Sequence, residues 1–81
     1  MIIKKWNYEK HNYEDKQIPD DWKCKTFSND LEEKINCVNC GKKMVYGDSY
    51  TSMEYHTEAG IGYMVCEKCN RKEWVRKNEN I

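Results

Sequence analysis

Residues 37–69 read CVNCGKKMVYGDSYTSMEYHTEAGIGYMVCEKC, and a C-x-x-C pair stands at each end of this segment. The two pairs are Cys37/Cys40 and Cys66/Cys69. Four thiolates in two such pairs are the number and spacing that a tetrahedral zinc ion takes in a closed structural site. Gly41 directly follows the first pair and supplies the backbone freedom that a tight metal-binding turn needs. The sequence therefore predicts one structural Zn²⁺ per chain, with a disulfide or a redox pair as alternative interpretations.

The length and composition of the chain are consistent with a need for metal. With 81 residues, 38% hydrophobic and 35% charged, the chain is expected to form a single domain over residues 1–81 with a small apolar core. Domains of this size commonly need an additional constraint, and a structural zinc contributes on the order of 10 to 16 kcal/mol at neutral pH. We therefore expect the metal to be a condition of folding.

The cysteine count and the N-terminal segment indicate the compartment. The chain has five cysteines, an odd number, and residues 1–16 lack the apolar stretch of a signal peptide. No apolar run approaches the length needed to cross a bilayer. These features predict a soluble, cytoplasmic protein with reduced thiols and no membrane partner.

The charges of the chain balance at 14 basic and 14 acidic residues. Residues 1–36 carry seven basic and eight acidic groups, and residues 37–81 carry seven and six. No overall field therefore attracts the chain to nucleic acid or to anionic lipid, and any electrostatic recognition has to come from a local patch.

Residues 1–27, within the N-terminal arm of residues 1–36, are polar but carry spaced aromatic and apolar side chains, which disordered tails lack. These side chains are Ile2, Trp6, Tyr8, Tyr13, Ile18, Trp22 and Phe27. The pattern predicts an extended N-terminal arm packed on the zinc module, and cap residues predict one helical turn within residues 28–33. Because aromatic residues are common at binding hot spots, Trp6 and Tyr13 are candidates for contact with a partner.

Residues 37–77 are predicted to form the zinc module. Lys43 to Tyr46 and Ser49 to Thr57 read as strands, and Gly47-Asp48 between them is a signal for a two-residue hairpin. Alternation along the second strand places Glu54 and Tyr55 on opposite faces. Tyr63 to Val65 reads as a further short strand that leads into the second cysteine pair.

A helix is predicted from Glu67 to Lys77. This stretch has no glycine or proline, and its basic residues gather toward the C-terminal end, where the helix dipole favours them. Trp74 shares a helical face with Cys66 and Asn70 and is therefore predicted to cover the metal site. Residues 78–81 are predicted to be a frayed tail.

A turn that carries two ligands, a hairpin, and a helix that carries the last two ligands occur in this order in treble-clef zinc fingers, which the sequence resembles. The resemblance covers residues 37–77 and rests on CVNCGK, YGDSY and CEKCNRKEW. It implies an α+β fold with a zinc knuckle, a β-hairpin and a C-terminal helix. It implies no particular activity, because treble clefs host many unrelated functions.

The whole chain is also similar to small zinc-binding proteins carried by phages and mobile elements of low-GC Gram-positive bacteria. This similarity rests on the stretch IPDDWKCKTFSNDLEEKINCVNCGKK. It implies a coding origin rather than a mechanism. If it holds, the natural target is a protein in the host cytoplasm.

His56 and the motif CEKCN resemble the histidine and cysteine knuckle of HNH-type nucleases, in which a hairpin histidine activates water beside a catalytic metal. The sequence departs from that family. Only nine residues separate His56 from Cys66, this interval contains no asparagine, and no later histidine completes the second metal site. We therefore expect no enzymatic activity.

The predicted helix carries a basic side, which supports a nucleic-acid-binding zinc finger as an alternative function. This side consists of Lys68, Arg71, Lys72 and Arg76. A solvated helix face is the simpler interpretation of the same residues.

The remaining cysteine and histidines give weaker signals. The separations of His11, Cys24 and His56 do not match a ligand motif, and Cys24 is expected to be a buried small side chain. Neither C-x-x-C pair lies in the β-α-β context of thioredoxin-like motifs, which argues against a redox switch. The sequence thus favours a small zinc-binding module that acts through a protein partner.

Overall fold

The computed structural model describes residues 1–79, which form an α+β fold with two antiparallel sheets and a C-terminal helix. The elements are β1 (Ile2–Asn7), β2 (Asn12–Gln17), β3 (Lys34–Asn36), β4 (Lys43–Val45), β5 (Tyr50–His56), β6 (Gly62–Val65) and α1 (Glu67–Glu79). The predicted α+β class is confirmed. Among the described residues, no helix has the length and apolar composition that a bilayer crossing requires.

The larger sheet contains four strands in the order β2-β1-β5-β6. β1 and β2 form a hairpin that ends at the pair Asn7↔Asn12, and β1 also pairs with β5, where Lys4 lies opposite His56. The N-terminal segment does pack on the rest of the fold, but residues 2–17 are not a separate arm: they form a hairpin that supplies half of this sheet.

The side chain of Asn7 explains why the chain reverses between β1 and β2. Its Oδ1 accepts hydrogen bonds from the backbone N–H groups of Glu9 at 2.9 Å and Lys10 at 3.1 Å. His11 then takes a left-handed φ of 53° before β2 begins. Asparagine commonly builds turns through such local hydrogen bonds, but this segment lacks the glycine that marks the shortest hairpins.

The smaller sheet pairs β3 with β4, and the loop of residues 37–42 connects them. β4 therefore pairs with β3 and not with β5, so the predicted hairpin at Gly47-Asp48 is wrong. A 3₁₀ turn at Tyr46–Asp48 carries the chain from the smaller sheet to the larger one. Gly47 is not among the residues with positive φ, whereas a Cβ at this position would lie only 3.1 Å from the carbonyl oxygen of Leu31. Glycine therefore allows close packing here rather than a hairpin turn.

A tight turn replaces the predicted helical turn within residues 28–33. The backbone N–H of Glu33 donates to the carbonyl of Asp30 at 3.0 Å, and the Ser28 hydroxyl donates to the Glu33 carboxylate. Hydrogen bonds from Lys23 and Ser28 lower the pKa of Glu33 to about 2. The carboxylate thus organises this loop without a helix.

A bulge in β5 shifts the strand register between Thr51 and His56. The Ser52 hydroxyl oxygen closes the bulge, because it accepts hydrogen bonds from the backbone N–H groups of Glu54 at 3.0 Å and Tyr55 at 2.8 Å. As a result Glu54 and Tyr55 are both buried although they are adjacent. The predicted alternation of faces is wrong at this point.

The helix confirms the prediction for Glu67 to Lys77 and continues to Glu79. Its buried residues, Cys69 and Glu73, lie one turn apart. The Glu73 carboxylate accepts hydrogen bonds from the Ser52 hydroxyl at 2.7 Å and from the Met53 backbone at 2.8 Å, so it joins α1 to the bulge. Of the predicted tail 78–81, the first two residues are helical, and residues 80–81 lie outside the described part.

The prediction that Trp74 covers the metal site is wrong. Trp74 is 49% exposed, and the Nζ of Lys77 lies 5.0 Å from the centroid of its ring. The buried side of α1 is set by Cys69 and Glu73, and Trp74 follows Glu73 directly, which rotates it by about 100° away from that side.

The core combines apolar side chains with three of the four paired cysteines. The buried cluster contains Ile3, Ile18, Val38, Tyr55, Val65, Cys37, Cys66 and Cys69. Trp22, Cys24, Met44 and Tyr63 pack against it and stay partly exposed. Burial and the neighbouring Cys37 raise the pKa of the Cys24 thiol to about 11, so Cys24 is a neutral packing residue at physiological pH.

The ring of Trp22 covers the first cysteine pair at Gly41, where φ is 77° and a Cβ would lie 2.4 Å from the ring. Alanine at Gly41 therefore adds a steric conflict to the cost of a left-handed backbone. Gly60 is the matched control, because its φ is 88° and a Cβ at this position would have no neighbouring atom within 4 Å.

We predict that Gly41→Ala lowers the free energy of unfolding by about 1–3 kcal/mol more than Gly60→Ala does, which is the usual cost of overpacking. Denaturant unfolding of both variants and of the wild type measures the difference. Equal losses in the two variants would show that Trp22 does not constrain this turn.

Candidate metal centre

The first cysteine pair lies in the turn between β3 and β4. The backbone N–H of Cys37 donates to the carbonyl of Lys42 at 2.9 Å, and that of Gly41 donates to the carbonyl of Cys37 at 2.8 Å. The Asn36 amide also donates to the Gly41 carbonyl at 2.9 Å. These bonds reverse the chain within a few residues, so that the two sulfurs point to the same side.

The second pair lies where β6 passes into α1. Cys66 directly precedes the helix and Cys69 lies in its first turn, where the Asn70 backbone donates to the Cys66 carbonyl at 2.9 Å. The backbone N–H of Val38 donates to the carbonyl of Met64 at 3.1 Å. This contact joins the first turn to β6 and brings the two pairs together.

The structure places all four predicted ligands in one cluster. The sulfurs of Cys37, Cys40, Cys66 and Cys69 lie within 4.8 Å of one another. The sulfurs of Cys40 and Cys66 are 3.8 Å apart, close to the edge of about 3.8 Å that a tetrahedron with Zn–S bonds of about 2.3 Å requires. Cys40 is exposed and the other three cysteines are buried. The geometry is compatible with a zinc ion.

The thiols of the cluster differ in how readily they ionise. Burial acts to raise the pKa of Cys66, but hydrogen bonds from the Cys69 backbone and from the neighbouring thiols outweigh it and lower the pKa to about 7. Burial raises the pKa of Cys37 and raises that of Cys69 to about 12. A divalent cation would supply the charge needed to hold all four sulfurs as thiolates at neutral pH.

Two residues beside the cluster were not predicted from the sequence. The Asn39 amide nitrogen lies 3.2 Å from the sulfur of Cys69, to which it donates a hydrogen bond, and the Tyr55 hydroxyl donates to the Asn39 amide oxygen. The sequence does show that Asn39 lies between the two cysteines of the first C-x-x-C pair. Nothing in the spacing indicated that its side chain turns toward the other pair.

The four residues of the predicted basic side of α1 have different environments in the structure. Lys68, Arg71 and Lys72 are exposed. Arg76 is instead bonded to Glu54, whose side chain is only 1% exposed: its Nε and Nη2 each donate to one carboxylate oxygen at 2.8 Å. This paired geometry compensates the buried charge of Glu54, so Arg76 is engaged in an ion pair although its side chain stays 41% exposed.

The predicted partner residues lie in one aromatic groove. The ring centroids of Trp6 and Tyr13 are 5.0 Å apart in an edge-to-face arrangement, and those of Tyr13 and His56 are 5.6 Å apart. Together with Tyr8, Met53 and Lys77, these three side chains line an open groove of about 300 Å³, which we call the aromatic groove. Tyr13 is 48% exposed.

The histidines lie away from the cysteine cluster. His56 Nδ1 is buried without a hydrogen-bond partner, and burial lowers the pKa of the imidazole. His11 packs edge-to-face near Trp6, with 6.4 Å between ring centroids. Among residues 1–79, the four cysteines form the one group of three or more side chains placed to hold a metal ion. No second site formed by His11, Cys24 and His56 exists in the described residues.

Comparisons of the chain with protein-family models, with curated proteins and with solved structures find no match. The function therefore has to be argued from the cysteine cluster and the surfaces around it.

We predict that Arg76→Ala lowers the free energy of unfolding by about 3 kcal/mol, because it leaves the buried carboxylate of Glu54 without its cation. Arg71→Ala is the matched control on the exposed side of α1, and its effect is expected to stay below about 0.5 kcal/mol. Thermal and denaturant unfolding of the two variants measure both effects. Similar stabilities for the two variants would contradict a structural role of the Arg76–Glu54 pair.

Proposed function

We propose that the chain is a small zinc-stabilised module that binds a protein partner and has no catalytic role. The observation that carries this proposal is the cluster of four cysteine sulfurs within 4.8 Å of one another, three of them from buried residues. Four sulfur ligands fill the tetrahedral coordination of zinc, and catalytic zinc sites keep a position open for water or substrate. The donor set therefore favours a structural ion.

The order of the elements supports assignment to the treble-clef type. The first ligand pair lies between β3 and β4, the hairpin β5–β6 follows, and α1 begins at the second pair. This is similar to the knuckle, hairpin and helix of treble-clef zinc fingers. The additional hairpin β1–β2 extends the sheet beyond these elements.

The origin of the chain in a phage or mobile element stays a prediction from the sequence. The same holds for a host protein as its target.

The aromatic groove supports a protein as partner. Interface centres are enriched in tryptophan, tyrosine and methionine, all of which line this groove. Apart from Tyr8 in the β1–β2 turn, the residues that line it belong to β1, β2, β5 and α1, so most of the binding surface is built on regular elements and needs little ordering on association.

A nucleic acid is the second candidate partner. Lys68, Arg71 and Lys72 are exposed on α1, in a chain that as a whole carries no net charge. Basic groups on an exposed helix provide phosphate contacts, whose strength falls steeply with salt. With Arg76 engaged by Glu54, the set of contacts is smaller than the sequence predicted, and this favours the protein partner.

We predict that the purified protein contains one zinc ion per chain and that Cys66→Ser loses both the ion and cooperative unfolding. The reason is that a structural zinc contributes on the order of 10 to 16 kcal/mol, more than the net stability of a small domain. Elemental analysis and thermal unfolding test this. Cys24→Ser is the control and is expected to keep its zinc, because Cys24 lies outside the cluster. Stoichiometric zinc in Cys66→Ser, or iron in the wild type, would contradict the proposal.

We predict that affinity capture from a Gram-positive bacterial lysate recovers a protein that Trp6→Ala and Tyr13→Ala each lose, since both remove side chains that line the aromatic groove. Phe27→Ala is the control, because Phe27 is exposed and packs with Tyr46 at a distance from the groove. Capture is measured by mass spectrometry after nuclease treatment.

Equal recovery by Tyr13→Ala and Phe27→Ala would contradict a role of the groove. Recovery of nucleic acid alone, abolished by Arg71→Glu together with Lys72→Glu, would favour the second candidate.

A further inference from the structure

The amide of Asn39 lies between the cysteine cluster and a tyrosine of the core. Its Nδ2 donates to the Sγ of Cys69 at 3.2 Å, and its Oδ1 accepts from the hydroxyl of Tyr55 at 2.5 Å. We propose that Asn39 and Tyr55 are positioning residues of the metal site: Asn39 holds the Cys69 sulfur and offsets its charge, and Tyr55 fixes the Asn39 amide. This inference rests on the proposed function, in which the cluster binds a metal ion.

The charge of the site explains why a donor to sulfur matters. Four thiolates and one divalent cation together carry a net charge of about −2, and such a charge in a largely buried cluster needs hydrogen-bond donors. Backbone N–H groups serve this purpose at Cys37 and Cys66. At Cys69 the donor is the Asn39 side chain, whose removal would leave the sulfur without that compensation.

The orientation of the amide follows from the chemistry of its two neighbours. A thiolate only accepts hydrogen bonds, whereas a tyrosine hydroxyl either donates or accepts. The Asn39 NH₂ group must therefore face Cys69, and the hydroxyl of Tyr55 satisfies the amide oxygen that remains. The pair of hydrogen bonds thus selects one orientation of the side chain.

Tyr55 is itself held in place by the bulge of β5. Its backbone N–H donates to the Ser52 hydroxyl oxygen at 2.8 Å, and that hydroxyl donates to Glu73 at 2.7 Å. Glu73 lies one turn after Cys69 on α1. A continuous set of hydrogen bonds therefore connects Cys69 through Asn39, Tyr55 and Ser52 to Glu73 on the same helix. These contacts fix both the Cys69 sulfur and its donor.

Asn39→Asp distinguishes a donor role from a packing role. Aspartate has nearly the same shape and still accepts from Tyr55, but it presents a carboxylate oxygen to the Cys69 sulfur instead of an N–H group. Asn70→Asp makes the same chemical change beside the same ligand, at a half-exposed residue outside these hydrogen bonds. Tyr55→Phe keeps the aromatic ring and removes only the hydroxyl.

The experiment measures the affinity of the full chain for Zn²⁺ and Co²⁺ by competition with a chromophoric chelator. We expect Asn39→Asp to weaken binding about 100-fold and Tyr55→Phe about 10-fold, the range that indirect ligand partners produce. Asn70→Asp should weaken it less than about fivefold, because its partly solvated charge is screened and the donor to Cys69 is the Asn39 side chain. The thiolate-to-cobalt charge-transfer band should shift in Asn39→Asp and not in Asn70→Asp, because only the former changes a hydrogen bond to a ligand.

The possible failures are separable. A wild-type protein that retains no metal overturns the proposed function and, with it, this inference. A wild type that binds one ion, together with equal affinities and spectra for Asn39→Asp and Asn70→Asp, overturns the inference alone. Failure of only Asn39→Asp to fold with metal supports it. Unchanged affinity in Tyr55→Phe overturns the role of the tyrosine.

Discussion

Three cysteine thiols lie inside the same buried cluster as the apolar core, so the core and the candidate metal centre form one unit. A buried thiolate without a compensating charge is costly, whereas a divalent cation bound to it is favourable. The four cysteines also join the two sheets, because Cys37 and Cys40 lie in the turn of the smaller sheet, and Cys66 and Cys69 follow β6 of the larger one. Apolar side chains of both sheets, among them Met44 of β4 and Val65 of β6, pack in or against the same cluster, so a metal ion held by the four cysteines would reinforce a connection that the core already makes.

Two buried carboxylates beside this core have specific hydrogen-bond partners. Glu73 and Glu54 are almost completely buried, and each carboxylate is satisfied by two hydrogen bonds, from the β5 bulge or from Arg76. Such groups stabilise a fold only when every partner is present, and they thereby define one arrangement of α1 on the sheet. The helix is held by specific polar pairs rather than by an apolar stripe, which its sequence lacks.

Much of the candidate site was predictable because ligand spacing is a local property. The cysteine pairs, the strand of β5 and the helix of α1 follow from short patterns, and the structure contains all of them. The pairing of strands was harder. Gly47-Asp48 matches a hairpin motif, but β4 pairs with β3 and the Gly47 backbone N–H donates to the carbonyl of Leu31, contacts that only the tertiary structure shows. The β5 bulge likewise depends on the Ser52 hydroxyl, and serine alternates normally in most strands.

The topology has a consequence for how the chain reaches its native state. Three of the four strand pairings join neighbours in sequence, with connections at residues 8–11, 37–42 and 57–61. Such hairpins close within microseconds because little loop entropy opposes them. The β1–β5 pairing instead spans most of the chain, and it forms the central seam of the larger sheet. Because loop closure over this separation is costly, we expect completion of this seam to be the slow step of folding. An ion that first gathers the two cysteine pairs would then accelerate it, by fixing β5 and β6 as a template for the N-terminal hairpin.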